Sequence, residues 1–126
     1  MIKILVVDDE VDAADLFRQR FRKEVRDNDF GFNFAHSGEE ALTFLSSLNP
    51  FDIVLILSDI NMPGMSGLQL LEIVKKKFPL LKVMMVTAYG DATNLETAQK
   101  AGADDFVTKP VDFVELKERI KKLTAI

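Results

Sequence analysis

Residues 2–9 read Ile2-Lys3-Ile4-Leu5-Val6-Val7-Asp8-Asp9, an apolar run broken only by Lys3 that ends on two carboxylates. A strand turns successive side chains to opposite faces, so a run apolar at nearly every position has both faces covered. That is how a strand reads in a parallel sheet with helices on either side. Four further runs extend the pattern: Phe32–Ala35, Ile53–Leu57, Val83–Val86 and Phe106–Val107. Ile53–Leu57 and Val83–Val86 are as thoroughly apolar as the first. Five segments of helical period alternate with these runs. Ala14, Phe17, Phe21 and Val25 form one stripe in the first segment, and Phe113, Leu116, Ile120 and Leu123 form another in the last. Ser37 with Glu40, Ser66 with Gln69, Thr93 with Glu96 and, more loosely, Asp112 with Glu115 have the spacing of a capping box that opens a helix. Gly102 stands where the fourth helix should end in a left-handed residue. Strand and helix in alternation predict right-handed βαβ units, an α/β fold wound on both faces of a parallel sheet.

Composition bounds what such a fold can do. The chain has 126 residues, 48% of them hydrophobic, and no linker or repeat divides it, so residues 1–126 read as one domain. The absence of cysteine excludes a disulfide scaffold and a thiolate metal site, and fits a reducing compartment. No apolar run approaches the ~20 residues that cross a bilayer. Sixteen basic against twenty acidic residues leave a net charge of −4, which gives nucleic acid phosphates nothing to bind through bulk charge.

In doubly wound sheets ligands sit outside the carboxyl ends of the strands. Just past those ends stand Asp8 and Asp9 after the first strand, Asp59 after the third, Thr87 after the fourth and Lys109 after the fifth. Taken singly, each has a plain structural reading: acidic residues cap helices, a threonine closes a turn, a lysine is solvated. Capping does not explain why the others fall at separate strand ends. Two carboxylates about 4 Å apart repel by ~1 kcal/mol in water and nearer 4 kcal/mol at an effective dielectric of 20. Lys109 offsets one charge of the three. A divalent cation would offset more, and an all-oxygen donor set selects Mg²⁺, Mn²⁺ or Ca²⁺ over Zn²⁺. Mg²⁺ keeps coordination positions open for phosphate oxygens, so the crevice suits a phosphoryl group.

The segments Ile4-Leu5-Val6-Val7-Asp8-Asp9-Glu10, Ser58-Asp59-Ile60-Asn61-Met62-Pro63-Gly64-Met65-Ser66-Gly67, Val86-Thr87-Ala88 and Phe106-Val107-Thr108-Lys109-Pro110 resemble the receiver domain of two-component response regulators. The resemblance runs through the whole chain. It implies a flavodoxin-like, CheY-like doubly wound sheet of five parallel strands in the order 2-1-3-4-5 with five helices. It further implies that Asp59 is the phosphoacceptor, that Asp9 and Asp59 ligate Mg²⁺ together with the main-chain carbonyl of Asn61, and that Asp8 reaches the ion through water. Thr87 and Lys109 would bind the phosphoryl oxygens. Phe106 resembles the aromatic switch that follows Thr87, repacking the face of the fourth helix, fifth strand and fifth helix. The Lys109–Pro110 bond resembles one that the family holds in cis. Asn61 and Tyr89 match positions that tune the lifetime of the phosphorylated state, with Tyr89 shielding the acyl phosphate. The implied partners are a sensor histidine kinase or histidine phosphotransfer protein as donor and a downstream effector domain or protein as output, in the cytoplasm, with no nucleic acid or membrane bound by this domain.

Other classes fit less well. A phosphatase of the haloacid dehalogenase type needs an Asp-x-Asp-x-Thr motif after the first strand, and Asp8-Asp9-Glu10-Val11-Asp12 does not supply it. A nucleotide or flavin binder lacks its glycine-rich loop. Ser58, one residue before Asp59, should face the other way and be structural. The chain stops directly after the last helix, which leaves open a stand-alone regulator or a domain cut from a larger protein.

Overall fold

The computed structural model describes residues 2–47, 53, 55–88 and 90–124. Five strands, β1 (Ile2–Val7), β2 (Phe30–Ala35), β3 (Leu55–Asp59), β4 (Lys82–Thr87) and β5 (Asp105–Thr108), pair in parallel in the order β2-β1-β3-β4-β5. That is the expected α/β doubly wound, flavodoxin-like order. Register aligns the carboxyl ends. Val7 pairs with Ala35 and Ser58, Asp59 with Val86, and Thr87 with Thr108. The residues that end or follow these strands therefore share one edge of the sheet.

Alternation divides the interior into two layers. Leu5, Val7, Ile56, Val83 and Met85 face one side, covered by α3 (Gly38–Ser46), α4 (Gly67–Lys77) and α5 (Ala92–Lys100). Ile4, Val6, Leu55, Leu57, Met84, Val86 and Val107 face the other, covered by α1 (Val11–Arg20) and α6 (Phe113–Leu123). In the second layer Phe17, Phe21, Phe30, Phe32, Phe34 and Phe113 form a connected set of ring pairs, with centroids from 4.9 to 6.5 Å apart.

Among the described residues six helices are present, where the sequence predicts five. The first stripe breaks at Phe21, whose φ of −109° and ψ of 17° leave the helical region, and a separate turn, α2 (Arg22–Arg26), follows. Phe21 is fully buried against Phe17, Phe30 and Phe32. The break rotates Val25 away from the core, so the predicted stripe stops at Phe21 and Val25 stays 42% exposed.

The helix starts follow the predicted chemistry with one correction. Ser66 and Gln69 complete both halves of the box at α4. Ser37 accepts from Glu40 N–H at 3.0 Å, while the Glu40 carboxylate turns to His36 N–H. Asp112 accepts from Val114 and Glu115 N–H. At α5 the cap is Asp91, not Thr93, because the Asp91 carboxylate reaches both the Asn94 N–H and the Asn94 side-chain amide. Gly102 has the expected positive φ, 96°.

Candidate functional site

At the shared edge the described residues bring together Asp8, Asp9, Asp59 and Lys109. Each of the three aspartates offers a carboxylate oxygen within 4.8 Å of the others. Lys109, directly after β5, donates from Nζ to Asp59 Oδ2 at 2.7 Å. Asp59, the last residue of β3, is 7% exposed. The Lys109 backbone is fixed by its N–H donating to the Thr87 carbonyl at 2.8 Å, and the Lys109–Pro110 bond is cis, as the resemblance implied.

The electrostatics follow from crowding. Burial pushes the Asp8 carboxyl above the usual carboxylate range and the Asp59 charge adds to this, against a Glu10 N–H that donates to Asp8 Oδ1 at 2.9 Å. Burial opposes the Lys109 charge, but the hydrogen bond and charge of Asp59, aided by Asp8 and Glu10, outweigh it and hold the ammonium above its ordinary value. One cation thus serves three anions. A donor set of carboxylate oxygens with no soft ligand fits a hard divalent cation, and the excess of negative charge gives the cluster a reason to hold one.

Thr87 ends β4 at 4% exposure with its hydroxyl 3.5 Å from the Val107 carbonyl, the outer limit of a hydrogen bond. Its parity along β4 is that of Val83 and Met85, so it lies on the layer against which Phe106 packs half-buried. Asp59 has the opposite parity, that of Leu55 and Leu57. Ser58 is buried and donates to the Asp59 carbonyl at 3.0 Å, the structural position expected of it. Asn61 is exposed in the loop after β3. Tyr89 lies outside the described residues.

Sequence reasoning passed over the second strand end. The residue after β2 is His36, whose Nδ1 lies 3.3 Å from the Asp8 carbonyl. Two residues further, α3 begins, and Glu39 Oε1 accepts the Met65 N–H at 3.1 Å. His36 therefore ties down the loop bearing Asp8, and the first turn of α3 ties down the loop following Asp59. The strand-end rule points to His36 as it does to the residues at the other four strand ends.

Over residues 4–121 the chain matches the response regulator receiver domain family. It belongs to that family. Among curated relatives it is 37% identical to the response regulator protein PilR of Pseudomonas aeruginosa, covering 94% of this chain and 25% of that protein. It is 32% identical to chemotaxis protein CheY-3 of Vibrio cholerae, over 97% of this chain and 91% of that one. Among solved structures, response regulator protein TrrA of Thermotoga maritima, in complex with Mg²⁺-BeF, is 37% identical with a TM-score of 0.79, covering 98% of this chain and 99% of that one. The receiver domain thus spans a quarter of PilR and nearly all of CheY-3. It is a regulatory domain, the phosphorylation-dependent switch of two-component signalling. No described helix is long and apolar enough to cross a membrane.

Proposed function

We propose that Asp59 is the phosphoacceptor of this receiver, which takes a phosphoryl group from a sensor histidine kinase or histidine phosphotransfer protein and passes the signal to an effector. The observation that carries this reading is the Lys109 ammonium 2.7 Å from a buried Asp59 carboxylate that has Asp8 and Asp9 within 4.8 Å. Asp9, Asp59 and the Asn61 main-chain carbonyl would hold Mg²⁺, with Asp8 reaching it through water; Mn²⁺ or Ca²⁺ carries the same donor preference. Bound there, such an ion supplies neutralisation of the phosphoryl oxygens during transfer.

The remaining chemistry belongs to this chain. An Asp59 oxygen attacks phosphorus, the bond from phosphorus to the donor breaks, and an acyl phosphate with about two negative charges forms. Lys109, already directed at Asp59, donates to a phosphoryl oxygen and so follows the charge to its new position. The Thr87 hydroxyl gives up a 3.5 Å contact with Val107 to reach another, a move that costs little. Phe106, half-buried on the same layer as Thr87, fills the space so vacated. With the first predicted helix divided in two, the face that repacks is that of α5, β5 and α6. Residues 1–126 act in this reading as one receiver unit, which catalyses only its own phosphorylation by acyl phosphates and its own dephosphorylation. Tyr89 and Asn61 set the lifetime of the product.

Incubation with acetyl phosphate and Mg²⁺, followed by intact-mass measurement, tests the assignment. A single phosphoryl addition in the wild type, absent from Asp59→Asn, is expected. Addition that survives in Asp59→Asn overturns it.

A further inference from the structure

A cavity of about 680 Å³ lies between α1 and the segment that joins β5 to α6, on the layer of the sheet that carries the phenylalanine cluster. Its floor is Val6, Leu57 and Val86. Ala13, Leu16, Phe17 and Arg20 recur at steps of three and four, so one stripe of α1 forms a wall. Pro110, Val111 and Phe113 form the opposite wall. Leu16 stays 41% exposed, so part of this apolar lining is left to solvent.

The two ends of the cavity carry opposite charge. At the strand edge stand Asp8, Glu10, Asp12 and Asp59, and the cation among them, Lys109, is already paired with Asp59. At the other end stands Arg20, roughly 10 Å further along α1 than Ala13. Its guanidinium lies 5.8 Å from the Phe113 ring centroid, and among the described residues no carboxylate pairs with it.

We propose that this cavity binds an amphipathic carboxylate, with an apolar body the size of a bicyclic arene between the walls and its carboxylate on Arg20. The volume falls within the range of pockets that hold small ligands, ~300–1,000 Å³. An uncharged apolar body displaces water from Leu16, Val111 and Phe113 at no loss of hydrogen bonds. The charges fix its direction. A carboxylate at the strand edge would meet four others, whereas at Arg20 it meets a planar guanidinium able to donate two parallel bonds. The proposal does not depend on which aspartate accepts phosphate.

NMR titrations of the chain with naphthoate and with naphthylmethanol, which has the same rings and no charge, test the proposal. Divalent cations are left out, so the carboxylate finds no metal at the acidic end. Wild type should show saturable shifts centred on Ala13, Leu16, Val86 and Val111. It should bind naphthoate more tightly than naphthylmethanol by roughly threefold or more, the scale of an exposed ion pair. Arg20→Gln should remove that preference and leave the affinity for naphthylmethanol as it was. Ala13→Phe and Val111→Phe, which fill the cavity from opposite walls, should each weaken both ligands by about tenfold, and the amide spectrum of each variant reports its fold. Shifts that spread over the surface without saturating overturn the site. Equal binding of the two ligands to the wild type, or a preference that survives Arg20→Gln, overturns the carboxylate assignment. Undiminished binding to both folded, filled variants places the ligand elsewhere and overturns the proposal as well.

Discussion

Asp8 is the residue at which function and stability oppose each other most directly. Its carboxyl is raised by burial and by the neighbouring Asp59 charge, so the ionised form is held under strain in the folded chain. Asp8→Asn keeps an oxygen for the Glu10 N–H and removes one of the repelling charges. Without divalent cations the variant should be more stable than the wild type by about 1 kcal/mol, a rise of roughly 3–6 °C in Tm. It should also lose much of the stabilisation that Mg²⁺ confers on the wild type. Thermal unfolding with and without Mg²⁺ checks both; a wild type indifferent to Mg²⁺ contradicts the cation assignment. Glu39 acts at one remove. Its carboxylate fixes the Met65 N–H and so the loop after Asp59. Glu39→Ala should weaken Mn²⁺ binding, read by electron paramagnetic resonance, by less than the roughly 10–100-fold typical of partners that touch a ligand directly. Glu39→Gln, which keeps the acceptor, should restore it.

At the scale of elements, α4 starts against the strand that ends in Asp59. Gly67 N–H donates to the Ile60 carbonyl at 2.7 Å, and a Cβ on Gly67 would collide with the Asp59 carbonyl oxygen and stand 2.8 Å from Ile60 Cα. Neither obstacle is a flexible side-chain end. Gly67→Ala should cost about 2 kcal/mol or more in urea unfolding and slow phosphorylation of the population that still folds. A variant of wild-type stability would mean that α4 can slide. The sequence carried most of this level. Runs apolar on both faces located β1, β3 and β4, shorter apolar runs marked β2 and β5, and cap chemistry located three helix starts, because these signals are local. Two features lay outside those signals. Asp91 displaced Thr93 as the α5 cap through its second bond, to the Asn94 side chain. The break at Phe21 answers to the rings of Phe30 and Phe32 on β2, a contact between elements that helical period does not register. At the site, strand ends revealed Asp8, Asp9, Asp59, Thr87 and Lys109. That Lys109 spends its charge on Asp59, while Thr87 turns to Val107, depends on side-chain directions that periodicity does not encode.

For the molecule as a whole, α2 is joined to α6 by Glu24 Oε1 and Lys117 Nζ at 2.7 Å, with the ammonium 5.2 Å from the Phe21 ring centroid. The Lys117 hydrogen bond, against some desolvation, holds the Glu24 carboxyl below the usual carboxylate range. A carboxyl depressed on folding contributes stability above its unfolded pKa and loses it as the pH falls through the folded value. Glu24→Gln should therefore lower stability at pH 7 by about 1 kcal/mol, and the gap to wild type should close in strong acid. Thermal melts across pH measure this; a constant gap contradicts it. The pair joins α2 and α6 on the side of the sheet that carries the phenylalanine cluster.

The two layers consequently differ in compliance. Interlocked rings permit few alternative arrangements, whereas Met62, Met65 and Met85, among leucines on the opposite layer, can change rotamer at small cost. A disturbance at the strand edge meets a stiff slab on one side and a pliant one on the other, so deformation is channelled towards the side where Phe106 lies.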